Sequence, residues 1–211
     1  MLNSFHFLIN GINAEKLYLR NLILIKALIV YGTRYGATEM TSKEIADVFQ
    51  KEGLDVEVVN LKDEKIKDIN NYDLVVVGSG IQIGKWTKEP KKFLKKYQKE
   101  LAKKKVAIFV SCGSAQPLPE DKKTPEEIEK TKRKYLNEKA TEYNLQPIAL
   151  GFFGGVYNFN RVSWLFKKFM SSVKPQLKAA GIPEKKPGLY DTRNIKNIRA
   201  WAKEVVDLAQ F

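Results

Sequence analysis

Three short segments carry residue types that can hold a phosphorylated ligand with a planar ring. The first is Thr33-Arg34-Tyr35-Gly36-Ala37-Thr38. A phosphate needs several donors converging on one small volume, and a loop opening a helix supplies backbone N–H groups and the positive end of the helix dipole. Thr33 and Thr38 add hydroxyls, and Gly36 permits close approach and an otherwise strained backbone. The loop lacks the Gly-Lys-Ser/Thr of nucleoside triphosphatases and the Gly-x-Gly-x-x-Gly of dinucleotide sites, which excludes both. The second segment is Ser79-Gly80-Ile81-Gln82-Ile83-Gly84-Lys85-Trp86. Gly80 and Gly84 expose amides to the polar edge of a ring, while Ile81, Ile83 and Trp86 offer apolar walls. The third, Ser111-Cys112-Gly113-Ser114-Ala115-Gln116, is built of small residues that can approach a planar ring closely. Each segment has a plainer reading too. The first is equally an N-capping turn, Trp86 equally an aromatic packed on Pro90 or Phe93, and Cys112 a buried inert thiol rather than a redox group.

The elements that position these loops follow from hydrophobic patterning. Residues 25–31 are a short apolar, β-rich run of the kind buried on both faces of a parallel sheet. Further strands are predicted at 56–60, 73–78, 106–111 and 147–153. Helical spacing of Ile45, Val48 and Phe49 predicts a helix after the first loop, ended by Gly53. Phe93, Leu94, Tyr97 and Leu101 share one face of a helix over 90–102. Thr124-Pro125-Glu126-Glu127 is a helix start with Thr as N-cap and Glu at the third position, running to about residue 143. Helices over 161–173 and 195–209 complete the chain. Strands alternating with helices imply an α/β fold, a doubly wound parallel sheet of five strands with helices on both faces. The order 2-1-3-4-5 is the expected solution, and the three loops then lie beyond the carboxyl ends of the strands, where such sheets bind ligands.

Composition narrows the chemistry. One cysteine among 211 residues forbids an intrachain disulfide and fits a reducing, cytoplasmic setting. One histidine, His6, leaves no Cys/His metal site and no Ser-His-Asp triad unless His6 folds back. The net charge of +13 attracts anionic ligands, lipid or nucleic acid, or simply reflects a lysine-rich solvated surface. The lysine clusters at 91–105 and 122–134 read as solvated helix faces, and no nucleic-acid motif or stacking platform accompanies them. No apolar run reaches the length of a membrane span. Residues 1–24 have no signal-peptide layout and are read as an extension of unknown role, with 25–211 as one domain.

The run Lys26-Ala27-Leu28-Ile29-Val30-Tyr31-Gly32 followed by the first loop resembles the opening strand and phosphate loop of flavodoxins, which are themselves the reference example of the 2-1-3-4-5 order. The closer resemblance is to the flavodoxin-like, menaquinone-dependent protoporphyrinogen dehydrogenases. The second loop looks like their Ser-Ile-Arg-Tyr-Gly-type loop, from which this chain departs at Gln82, Ile83 and Lys85. Gly154-Gly155-Val156-Tyr157, the aromatic and basic stretch 161–170, and Tyr190-Asp191-Thr192-Arg193 are similar as well. The resemblance covers residues 26–208. It implies FMN as cofactor, held by the three loops, and a redox role in which the flavin does the chemistry.

Two functions compete. One is a dehydrogenase oxidising protoporphyrinogen IX or a related tetrapyrrole, with a quinone as acceptor and a peripheral contact on the cytoplasmic membrane face. Helix 161–173, with Trp164, Phe166, Phe169 and Met170 beside Arg161, Lys167 and Lys168, suits such a contact, and equally suits a core helix with a basic outer face. The other is a soluble electron carrier docking on acidic redox partners. The sequence names no catalytic acid or base, no metal and no oligomeric state.

Overall fold

Strand β1 (Lys26–Gly32) is buried at every residue after Lys26. A strand can lose both faces to the interior only with sheet on either side and helices above and below. That is what surrounds it: β1 pairs in parallel with β2 (Asp55–Asn60) and with β3 (Leu74–Gln82). Beyond β3 lie β5 (Lys105–Ser111) and β6 (Ala149–Phe153), giving the order β2-β1-β3-β5-β6. This is the 2-1-3-4-5 sheet expected from the alternation of elements. The computed structural model describes residues 24–116, 118, 122–160 and 173–210. The N-terminal extension up to residue 23, Pro117, and the aromatic–basic helix up to residue 172 lie outside the described residues. Among the described residues no helix is long and apolar enough to cross a membrane.

Alternate residues of the strands feed two cores, because successive side chains point to opposite faces. Ala27, Ile29, Val76, Ala107 and Phe109 pack against helices α1 (Ala37–Lys51) and α7 (Ile195–Gln210) through Ile45, Phe49, Ile198, Trp201 and Val205. Trp201 meets Phe153 edge-on at 5.4 Å and Phe109 at 6.1 Å. Leu28, Val30, Val75, Val77, Ile108 and Val110 face the other way. They meet α2 (Lys88–Lys96), α3 (Gln98–Leu101), α4 (Pro125–Tyr135) and α5 (Asn137–Glu142). The capping box read from the sequence closes α4: Glu127 N–H donates to Thr124 Oγ1 at 3.3 Å, and Thr124 N–H to Glu127 Oε2 at 3.0 Å.

The helices differ from expectation at two breaks. The run predicted over 90–102 starts at Lys88 and leaves helical geometry at Tyr97 (φ −105°, ψ 20°), whose hydroxyl donates to the Ile66 carbonyl at 2.7 Å. The run predicted to residue 143 breaks at the fully buried Leu136. A helix end leaves carbonyls without intrahelical partners, and the Trp86 indole takes one of them, donating to the Tyr135 carbonyl at 2.9 Å.

A second, three-stranded sheet was not foreseen. It has the order β7-β9-β8, from β7 (Val156–Asn158), β8 (Glu184–Lys186) and β9 (Leu189–Asp191). Three-residue strands show no usable period. The sheet covers a small core around Tyr190, which is fully buried with Leu177 of α6 (Val173–Ala179) and meets Phe159 edge-on. Next to it Asp191, 1% exposed at the side chain, receives Arg193 Nε and Nη2 at 2.9 Å each and Lys185 Nζ at 3.0 Å. Burial on its own would raise the Asp191 carboxyl, but the hydrogen bonds of Arg193 and Lys185 and the charge of Arg193 outweigh it and hold the group below its ordinary value.

Removing one partner of a buried pair leaves the other charge uncompensated. Asp191→Ala is therefore expected to cost about 3–5 kcal/mol in denaturant unfolding at neutral pH. Because the folded value is depressed, the contribution is complete above the unfolded carboxyl value of about 3.9 and fades as pH falls through the lower folded value. A loss under ~1 kcal/mol, or one unchanged in acid, would refute this account.

Candidate functional site

Parallel register ends four strands side by side. Gly32 pairs with Ser79, Gly80 with Ser111, and Ser111 with Phe153. Neighbouring strands lie about 4.8 Å apart, so the loops leaving β1, β3, β5 and β6 emerge as adjacent walls of one cleft. The cleft spans about 770 Å³, its open mouth included.

Its floor is the start of α1. Gly36 is the N-cap residue in left-handed geometry (φ 94°), with no side chain to cap the helix. The first-turn N–H groups of α1 have no intrahelical acceptor. Thr33 Oγ1 accepts from Gly36 N–H at 3.0 Å and tightens the loop. Within its first two turns, Thr38, Thr41 and Ser42 are fully buried. Thr41 meets Ser111 Oγ at 3.5 Å, but among the described residues Thr38 Oγ1 has no hydrogen-bond partner. A buried unmatched hydroxyl costs about 1–3 kcal/mol. Gly80 crosses directly above it: a Cβ there would stand 3.2 Å from Thr38 Oγ1.

One wall is a hairpin. β3 runs on past the predicted strand end to Gln82 and returns as β4 (Lys85–Trp86), with Ile81 opposite Trp86 and Gln82 opposite Lys85. Ile83 and Gly84 form the two-residue turn with φ of 48° and 69°, the left-handed pair that a tight hairpin requires. Glycine accepts this geometry; a β-branched isoleucine does so at a cost. Ile83 is also 83% exposed at the cleft rim. Gln82 Nε2 donates to Tyr35 Oη at 2.8 Å and ties the hairpin to the first loop.

The opposite wall joins the third segment to the small sheet. Cys112 and Gly113 line the cleft with Gly155, Val156, Tyr157 and Asn158. A Cβ at Gly113 would lie 2.5 Å from Tyr157 Oη, so a side chain there would have to displace the tip of the Tyr157 ring. Thr192 fixes this wall through Gly155: its hydroxyl accepts Gly155 N–H at 3.2 Å and donates to the Gly155 carbonyl at 3.0 Å. Burial pushes the Cys112 thiol up to about 11, so it stays protonated at neutral pH and is a wall atom rather than a nucleophile.

The structure brings most of the nominated residues together. Thr33, Arg34, Tyr35, Ala37 and Thr38 of the first loop line the cleft, as do Gly80, Ile81, Gln82 and Ile83 of the second and Ser111, Cys112 and Gly113 of the third. Five others stand elsewhere. Gly36 is buried as the N-cap, and Gly84 forms the turn tip. Ser114 hydrogen-bonds Lys123. Ser79 is buried behind the wall, accepting Thr87 N–H at 3.0 Å. Trp86 needs correction as a ring wall: it is 4% exposed, packed in the second core with Phe93, because its indole N–H satisfies the open carbonyl at the α4 break. Sequence reasoning missed Thr87 and residues 155–158 as cleft residues. The signal existed, since 154–158 follow the fifth strand at the same carboxyl end of the sheet as the three chosen loops.

The chain matches the flavodoxin domain family model over residues 28–180. A flavodoxin of Maridesulfovibrio salexigens is 33% identical over 95 residues, which cover 43% of this chain and 64% of that protein. Protoporphyrinogen IX dehydrogenase [quinone] of Escherichia coli K12 is 24% identical over 185 residues, 87% of this chain and 96% of the relative. Among solved structures, oxidised flavodoxin 1 from Bacillus cereus superposes with a TM-score of 0.51 at 19% identity, covering 86% of this chain and 97% of that one. A short-chain flavodoxin associated with a bacterial microcompartment gives 0.53 at 13% identity, over 88% and 99%.

The turn geometry makes its own prediction. Ile83→Asn creates Asn-Gly, the favoured left-handed pair. It is expected to stabilise the protein without added ligand by about 1 kcal/mol, a rise in Tm of ~2–4 °C. Thermal unfolding with Tm unchanged or lowered would show that Ile83 carries no strain.

Proposed function

The chain belongs to the flavodoxin domain family, and we propose that it binds FMN, the cofactor of that family, in the cleft described above and acts as an FMN-dependent oxidoreductase. One observation carries the fit: the fully buried, unpartnered Thr38 hydroxyl beside an uncapped helix start, a polar floor that lacks an acceptor and would gain one from a phosphate. Thr33, Thr38 and the first-turn amides of α1 would hold the phosphate. Gly80 and Gly113, at positions with little or no room for a side chain, and Ile81, Cys112 and Val156 along the walls would receive the ring. Bound FMN supplies acceptance of two electrons and their release singly or in pairs. The protein's part is to orient the ring and keep water from it. The protonated Cys112 leaves the ring's surroundings uncharged on that side.

The finer reading is a dehydrogenase that oxidises protoporphyrinogen IX or a related tetrapyrrole with a quinone acceptor. It is supported by the near end-to-end alignment with the relative of that name. A lipid-borne acceptor would bring the chain to a membrane surface, where +13 net charge favours an anionic leaflet. The alternative, a soluble electron carrier, is supported by the higher but partial identity to a flavodoxin.

Purified protein is expected to be yellow and to release FMN rather than FAD on denaturation. Thr38→Ala should weaken FMN binding by about 1.5–3 kcal/mol, the value of a hydrogen bond to a charged group. Unchanged affinity in a fluorescence titration would move the phosphate elsewhere. For the finer reading, the FMN-loaded protein is expected to oxidise protoporphyrinogen IX when menaquinone is supplied. Rapid electron transfer to soluble redox proteins with no porphyrinogen oxidation would instead establish the carrier.

A further inference from the structure

A second hollow lies against the hairpin. It spans about 690 Å³, its open mouth included, and shares Arg34, Gln82, Ile83 and Thr87 with the cleft. Four of its lining residues are cationic: Arg34, Lys85, Lys88 and Lys91. Among the described residues none of the four is ion-paired, although lysines elsewhere on this chain find carboxylates, as in Lys43–Glu39 and Lys51–Asp47. Lys91 acts at longer range on Glu142, which is already paired with Lys139. Lys88 and Lys91 also stand at the opening of α2, where the helix dipole disfavours positive charge and Glu89 is the acidic residue present. Four like charges around one concavity repel each other, and that cost falls when an anion enters.

We propose that this hollow is the substrate subsite, and that it holds the carboxylates of a small organic polyanion whose oxidisable part reaches the neighbouring cleft over Ile83. The proposal rests on reading that cleft as the flavin site. A small ligand is favoured over an acidic protein surface because the charges line a hollow continuous with the cleft rather than a flat face. It also gives the apolar Ile83 an occupation: it stands between the charged hollow and the cleft, where a ligand with an apolar body and acidic arms would cross.

The test uses the FMN-loaded protein at fixed ionic strength, with protoporphyrin IX, its dimethyl ester and citrate as probes, and the double variant Lys88→Glu/Lys91→Glu. Both changes put acid at a helix start, which favours folding. Binding is read from flavin absorbance and porphyrin fluorescence. Protoporphyrin IX and citrate are expected to compete, and the ester to bind at least about tenfold more weakly. The variant should lose at least about tenfold in affinity for both acids and keep its FMN, and Lys88→Arg/Lys91→Arg should restore binding. If citrate binds and the variant loses it while protoporphyrin IX does not bind, the subsite stands and the tetrapyrrole reading falls. Equal binding of acid and ester, unaffected by charge reversal, overturns the subsite. It is equally overturned if neither acid binds and the variant loses only docking to an acidic redox protein.

Discussion

The site depends on one constraint, the parallel register that brings Gly32, Ser79, Gly80 and Ser111 level at the carboxyl edge of the sheet. Parallel strands are joined by crossovers, so each strand must deliver its following loop to the same edge. A shift of one residue would turn Thr38's neighbours away and send the apolar face of a strand to the wrong core. The two cores enforce the register from both sides, Ile29 and Phe109 in one and Leu28 and Ile108 in the other. The cleft is thus a consequence of core packing rather than of contacts between the loops.

Against that apolar frame, the start of α1 is a local exception. Thr38, Thr41 and Ser42 bury three hydroxyls on the face a helix would normally fill with aliphatic side chains, and two of them, Thr38 and Ser42, lack partners among the described residues. Real proteins accept such inconsistencies mainly where a ligand completes the structure. Thr41 has a partner in Ser111, so its hydroxyl needs no ligand; Thr38, beneath Gly80, is the one next to the cleft.

How much of this was legible in the sequence follows from the length of each signal. Long apolar runs such as 25–31 and a complete capping box at Thr124 are strong local statements; the first appears as strand Lys26–Gly32, one residue along, and the second as read. The first loop was legible as a strand–helix junction rich in hydroxyls and glycine, a composition it shares with a plain N-capping turn; the unmatched Thr38 hydroxyl that separates the two readings appears only in the structure. Trp86 was not, since its place is set by a carbonyl opened at residue 135, 49 positions away. Nothing local distinguishes an indole that walls a cleft from one that caps a distant helix break. The small sheet escaped because three-residue strands carry no period, and with it went Tyr157, which the sheet delivers to the cleft.

The two walls of the cleft are held by different means. The Tyr157 wall is fastened through Gly155 to Thr192 by three hydrogen bonds, including Thr192 N–H to the Gly155 carbonyl at 3.0 Å. Thr192 in turn lies between the buried Asp191–Arg193 pair. The hairpin wall has a two-residue turn in left-handed geometry at its tip, a side-chain hydrogen bond from Gln82 to Tyr35 across to the first loop, and solvent around Ile83. Under the proposed reading, a ring would rest against the first wall and a second ligand would meet the hairpin. That side also carries Lys85 and adjoins Lys88 and Lys91. Positive charge therefore gathers on the wall that a second, anionic ligand would pass under the proposed reading.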